Sequence, residues 1–312
     1  MKILVTGANG FVGTTLVPAL IGRRHAVQAI VRVAAPHSDA VAMGEIGPAT
    51  DWRAALDGCE AVVHLAARVH MMRDRATDPL SAYRRNNAAA AVRLADQARA
   101  AGVRTFVLMS TAKVLGESSP AGDPFTDASA PAPEDPYSVS KAEAEHAISA
   151  LAKDGAMRVA ILRPPLVYGP GVGANFLRLM NAVAGGRPLP LGAVRNRRSL
   201  VYVGNLADAV LACLEDPHAA GTYLVSDGHD LSTPDLIRRI GAAVGRPARL
   251  LYVPTVLLRA AGALTGKTNE VERLLGDFAL APTRLADLGW RPPFTLEQGL
   301  AATAAWYRAA RG

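Results

Sequence analysis

The chain has 312 residues, half of them apolar and a fifth charged, enough for one large two-lobed unit or two modest domains. Its only cysteines, Cys59 and Cys213, stand far apart, which argues against a disulfide framework or a zinc site and fits a reducing compartment. The formal charge of +7 suits nucleic acid, a membrane surface or anionic small molecules equally, because the arginines are dispersed and no basic-aromatic array occurs.

The opening MKILVTGANG holds too short an apolar run for a signal peptide. The stretch LYVPTVLLRAAGALTG is broken by Pro254 and Arg259, so no membrane insertion is expected. A cytoplasmic protein is the expectation. Residues 2–6 (KILVT) read as a short buried strand and 11–23 as the helix after it. Between them lies TGANGFVG. Gly7, Gly10 and Gly13 permit a tight turn and close backbone approach to a pyrophosphate, with free N–H groups at the helix start. The spacing predicts a dinucleotide site.

A second strand, 26–31, ends where NAD-binding folds place an acid against the adenosine ribose, about 20 residues beyond the glycines. Here Val31 is followed by Arg32, which would attract a 2′-phosphate, so the reading favours NADP over NAD. Glu45 and Ile46 would border the adenine. Residues 61–67 predict a strand, 79–102 a helix and 105–110 another strand, ending at Ser110 and Thr111. A helix over 136–153 begins with Tyr137 and Lys141, four apart and therefore on one face. An ammonium beside a phenol lowers its pKa and makes it a usable acid/base. A strand at 158–164 follows.

Continuous apolar strands alternating with helices predict a parallel sheet covered on both faces. After Pro164 the chain is dense in Pro and Gly, the texture of a second lobe. Strand-like 199–203 and 221–226 are expected to return to the main sheet. Residues 229–312 read as helices with one short strand near 249–253. The expected architecture is α/β: a Rossmann doubly wound parallel sheet (1–165 with 199–226) and a smaller α/β substrate-binding lobe (166–198 with 227–312).

Taken together, TGANGFVG, HLAA (64–67), Asn87, STAKVLG (110–116), YSVSK (137–141), RPPLVYGPG (163–171) and LGWRPP (288–293) resemble the extended short-chain dehydrogenase/reductase superfamily, especially its nucleotide-sugar epimerase/dehydratase branch. The resemblance implies Thr111, Tyr137 and Lys141 as the catalytic trio. It implies that Gly7, Asn9, Gly10, Phe11, Val12, Gly13, Leu65, Ala66, Ala67, Asn87, Pro164 and Val167 line the cofactor with Tyr137 and Lys141. Thr111, Asn175 and Arg198 would hold a UDP-sugar, the latter two at its pyrophosphate. Arg273 would join them or be a plain helix-surface arginine. A homodimer packed through the catalytic helix is also implied. His64 and His70 lack a metal-ligand pattern, and no metal is expected.

Related 4,6-dehydratases carry Asp-Glu directly after the catalytic Thr; here Ala112 and Lys113 stand there, which argues against elimination. Epimerases differ at other places. The acid after the second strand is missing, Leu166 replaces an Asn, Leu115 replaces a Tyr, and RSLVYVGN (198–205) replaces RDxxHVxD. The chain looks most like NAD(P)H-dependent reductases of a UDP-linked 2-acetamido-2,6-dideoxy-4-hexulose. The alternative is an NAD-retaining UDP-sugar 4-epimerase acting on UDP-glucose or UDP-N-acetylglucosamine. A non-catalytic NADP-sensing regulator ranks below both, because the trio is complete.

Overall fold

The computed structural model describes residues 1–34, 39–69 and 77–311; His70 lies outside them. Seven parallel strands form the main sheet: β1 (Lys2–Thr6), β2 (Ala26–Val31), β3 (Val41–Ala42), β4 (Ala61–His64), β5 (Thr105–Met109), β7 (Arg158–Arg163) and β10 (Gly221–Leu224). Their order across the sheet is β3-β2-β1-β4-β5-β7-β10. The order reverses between β1 and β4, and a ligand crevice is expected beyond the carboxyl ends of the strands at such a switch point.

Side chains alternate across the sheet, and both faces are covered. Ile3, Val5, Val63, Val107 and Leu162 pack against α1 (Gly13–Gly22) and α7 (Val203–Glu215). Leu4, Val62, Phe106, Leu108 and Ile161 pack against α4 (Ala90–Ala100) and α5 (Pro136–Leu151). This two-sided burial explains why the strands read as unbroken apolar runs. The helix expected over 79–102 is α3 (Pro79–Tyr83), a π-helical turn over Arg84–Ala89, and α4. The wider turn holds Asn87, which is buried; such turns are frequent at functional sites.

The expectation that 199–203 returns to the main sheet is overturned. That segment is β9 (Arg198–Tyr202), in a separate three-stranded sheet between β8 (Leu166–Tyr168) and β11 (Asp230–Leu231). The main sheet instead ends at β10, paired to β7. On the small sheet, α6 (Ala174–Ala184), α8 (Thr233–Val244) and α12 (Leu296–Ala309) build the second core around Tyr168, Phe176, Ile237 and Leu300. The strand expected near 249–253 is only an extended run bridged to Leu189.

A two-stranded parallel pair, β6 (Phe125–Thr126) with β12 (Leu280–Ala281), ties the loop after Thr111 to the C-terminal part. Beside it, the Asp127 carboxylate accepts from the backbone N–H groups of Leu224, Thr283 and Arg284. Among the described residues no helix is long and apolar enough to cross a membrane.

One buried ion pair pins α5 to the sheet. The Arg163 guanidinium donates to both oxygens of Glu145, at 3.1 Å and 2.5 Å for the shorter contacts, and both residues are buried. Arg163→Met strands the Glu145 carboxylate and should cost about 3–5 kcal/mol in urea unfolding. Adding Glu145→Leu should recover most of that loss. A single variant as stable as the parent would show that the pair does not anchor the helix.

Candidate active site

The glycine loop after β1 is built by close packing. Gly7 has φ +68°, and a Cβ there would stand 2.9 Å from the Ala66 nitrogen. At Gly13 a Cβ would overlap the carbonyl oxygens of Gly7 and Ala8. Helix α1 then begins with no side-chain cap and no acid in its first turn. Its free N–H groups and positive dipole end are available to an anion. Asn9 and Gly10 are exposed at the loop tip, and Gly10 N donates to Gly7 O at 2.9 Å. Val12 supports the loop from the main core, whereas Phe11 reaches the core of the second lobe.

Thr6 clamps the neighbouring strand end. Its Oγ1 lies 2.7 Å from His64 Nδ1 and accepts from Ala66 N, while its carbonyl accepts from Leu65 N. Leu65 and Ala66 therefore lie against Gly7, with Ala67 the next residue along the chain. Burial, with Lys141's charge, pushes the His64 imidazole down to about 3, so it stays neutral. At the other end, Arg32 is exposed directly after β2, and its carbonyl accepts from Gly44 N at 3.1 Å. That bond sets exposed Glu45 and half-buried Ile46 alongside it. These donor and packing features fit a nicotinamide dinucleotide.

Helix α5 starts on a capping box. Asp135 accepts from Ser138 N at 2.7 Å, and Ser138 Oγ accepts from Asp135 N at 3.1 Å. Pro136 adds a preset φ at the first turn. The cap fixes Tyr137, whose ring meets the Tyr83 ring edge-on at 6.1 Å. One turn on, Lys141 is 1% exposed and donates no hydrogen bond to a described residue. Burial pulls its ammonium down to about 8, against a smaller opposing effect of Glu145.

The expected lowering of Tyr137 by Lys141 is not what the structure holds. Burial, then the charge of Asp135, raises the phenol above its ordinary value. Lys141's charge is felt at His64 instead.

Thr111 closes β5 and caps the short 3₁₀ turn 112–115 by accepting from Lys113 N. Neighbouring backbone bonds fix this end of the strand: Ser110 N to Leu162 O and Ala112 N to Pro164 O, both 2.8 Å. Pro164 is buried, and Val167 packs on the main core. Both amide hydrogens of Asn87 are engaged. Its amide accepts from Arg68 N (2.7 Å) and donates to Arg68 O (3.1 Å) and Ser140 Oγ (3.0 Å). It thereby joins the loop after β4 to α5.

Two of the three residues expected at a pyrophosphate meet. Arg198 Nη1 donates to the Arg273 carbonyl at 2.8 Å and its guanidinium lies over the Phe278 ring. Arg273, on α10 (Thr268–Leu275), pairs with Glu117 at 3.1 Å. Asn175 stands apart on the first turn of α6, exposed, accepting from Arg178. The preceding Ala174 has φ +49°, a strained conformation for alanine.

The sequence reading missed the ion network between these parts. Lys113 Nζ binds both Asp135 and Glu117, the latter at 2.8 Å, and Glu117 passes the chain of charges to Arg273. Although burial works against it, pairing with Lys113 holds the Asp135 carboxyl well below its usual range. The available signal was a lysine two residues after Thr111 and an aspartate two before Tyr137.

A lysine whose folded pKa is about 8 against an ordinary 10.5 destabilises the fold below pH 8 and costs nothing above 10.5. Lys141→Met should therefore abolish turnover yet raise unfolding stability at pH 7 by about 3 kcal/mol. The gain should shrink as pH rises from about 8 to 10.5 and vanish above that. A pH-independent loss of stability in urea melts would contradict this account.

The profile of the NAD dependent epimerase/dehydratase family matches residues 3–226. A UDP-glucose 4-epimerase of Vibrio cholerae is 44% identical over 97% of this chain and 94% of its own length. A 2-alkyl-3-oxoalkanoate reductase of Stenotrophomonas maltophilia is 29% identical over 96% and 97%. Among solved structures, MoeE5 in complex with UDP-glucuronic acid and NAD superimposes with a TM-score of 0.79 at 25% identity, covering 99% of this chain and 100% of that one. The glycine loop, the capped Tyr-Lys helix and this match across both lobes lead to one conclusion: the chain belongs to the NAD dependent epimerase/dehydratase family, within the extended short-chain dehydrogenases/reductases, and is an NAD(P)-dependent enzyme.

Proposed function

We propose that the enzyme is a UDP-sugar 4-epimerase that keeps its NAD through the cycle. The carrying observation is the 44% identity to a UDP-glucose 4-epimerase along nearly the whole chain. This revises the sequence-based preference for a 4-keto reductase. Most departures behind that preference fall on residues with structural contacts. Ser199 Oγ donates to Asp230 and accepts from Leu280 N. Asn205 is fully buried, bonding Asp227 and the backbone of Phe294. Tyr202 packs between Tyr168 and Phe294, and Leu115 lies in a small core with Leu224 and Phe278. Their replacement of polar residues therefore says little about the substrate.

In this reading a nicotinamide held at the glycine loop and by Lys141 would supply hydride exchange with the sugar's C4. Tyr137 takes the proton from O4 and gives it back. Thr111 would orient that oxygen, and Lys141 would hold the nicotinamide ribose and favour the phenolate once the site is occupied. Arg198 and Asn175 would take the pyrophosphate from two sides, and Arg273, tied to Glu117, would support Arg198 through its carbonyl. Elimination has no support: Ala112 is sealed in the core, and Lys113 is a cation tied to two carboxylates. A homodimer through α5 belongs to the same reading.

One observation favours the 4-keto reductase as a second reading. Arg32 is exposed after β2, where it suits the 2′-phosphate of a freely exchanging NADPH.

The test incubates the enzyme with UDP-glucose or UDP-N-acetylglucosamine and no added cofactor, and separates the products. In parallel, NADPH loss is followed with a UDP-4-keto-6-deoxy sugar. Isomerisation in the first tube is expected. Stoichiometric NADPH consumption without isomerisation would establish the reductase instead. Tyr137→Phe should lower turnover by about 10²–10⁴-fold while bound cofactor is retained; full activity in that variant removes Tyr137 from the mechanism.

A further inference from the structure

Residues 236–269 carry six cations (Arg238, Arg239, Arg246, Arg249, Arg259 and Lys267) and not one Asp or Glu. Within them lies α9 (Thr255–Leu264), which buries only Gly262, against Val271 of α10. Its outer face is apolar. Val256, Leu257, Ala260, Ala261 and Leu264 fall on one side at helical spacing, and all are exposed, Leu264 by 89% and Val256 by 69%. Just before the helix, Tyr252 (73% exposed) and Leu251 (50%) extend the patch.

Cations border this patch. Arg238 and Arg246 stand beside Tyr252, Arg259 is on the helix itself, and Lys267 follows it. Arg238 and Arg259 are paired with Asp235 and Glu272. Exposed Arg246, Arg249 and Lys267 form no ion pair with a carboxylate among the described residues, and α10 adds one further acid, Glu270. Arg238 and Arg246 also line an open groove that ends at Tyr252.

We propose that α9 and the turn before it dock this enzyme on an anionic lipid surface. An apolar stripe with unneutralised cations on its rim matches the boundary between acyl chains and acidic headgroups. A second copy of the chain is a poorer occupant, because a two-fold interface would set Arg246, Arg249 and Lys267 against themselves. The helix has only ten residues, so the attachment is peripheral and reversible. The proposal is independent of which sugar the enzyme converts. Because α10 also carries Arg273, docking would bring the substrate side of the second lobe close to the bilayer.

The experiment is flotation of the full-length protein with phosphatidylcholine vesicles, with and without phosphatidylglycerol, at low and high salt. Binding to the anionic vesicles should exceed binding to the neutral ones by about tenfold or more and fall with salt. Leu257→Ser with Leu264→Ser leaves the charge unchanged and should weaken binding by about tenfold or more. Arg249→Glu with Lys267→Glu should do the same, and all variants should keep the parent's circular dichroism and turnover in solution. Undiminished binding of the serine variant would mean that a +7 protein is merely attracted by charge, and would overturn the proposal. So would failure to bind either vesicle, or a solution dimer that the serine variant abolishes.

Discussion

The site depends on keeping a nearly solvent-free ammonium, that of Lys141, at one place on α5. Burying an unpaired cation is unfavourable, so the helix carrying it must be held by other contacts. Four of them surround it. The Asp135–Ser138 box sets the helix start, and Lys113 ties Asp135 to the turn after Thr111. The Asn87 amide grips Ser140, and the Glu145–Arg163 pair fastens the next turn to β7. Glu145 is one turn beyond Lys141, so the same carboxylate that anchors the helix also partly offsets the lysine's desolvation. The stability of α5 and the chemistry of its first two turns are thus one problem.

The second constraint is the close approach of β1 and β4 at the switch point. Gly7 has no room for a side chain because Ala66 backbone lies against it, and Thr6 holds that backbone through both its carbonyl and its hydroxyl. A phosphate-accepting loop and the wall beside it are therefore one packed unit. The Phe11 ring then packs against the second core, so the glycine loop and the second lobe share a boundary.

In a fold used by many oxidoreductases, reaction type rests on a few positions at the end of β5. An acid pair after Thr111 would make elimination available. Here one of those positions is core and the other is a lysine serving the ion network that runs through Glu117 to Arg273. The residue that could have been an acid has become part of the frame joining the two lobes.

How much of this was legible differs between elements. The strands at 2–6, 26–31 and 105–109 and the helix from Pro136 follow from local pattern: apolar runs buried on both faces, glycines where backbone must approach backbone, and a proline at a helix start. The Tyr137–Lys141 spacing defines a face without any knowledge of the fold, and the absence of carboxylates at 112–113 constrains the reaction equally early. The partner of β9, the engagement of Asn87, the raised phenol and the charges joining Lys113 to Arg273 depend on residues far apart in the chain. Sequence alone determined the glycine loop, the capped helix that carries Tyr137 and Lys141, and the lack of carboxylates after Thr111, because those depend on residue type at short spacing. Tertiary structure decided which strand joins which sheet, which polar residues are bound to the protein itself, and how each charge is shifted, because desolvation and pairing exist only once distant segments have packed together.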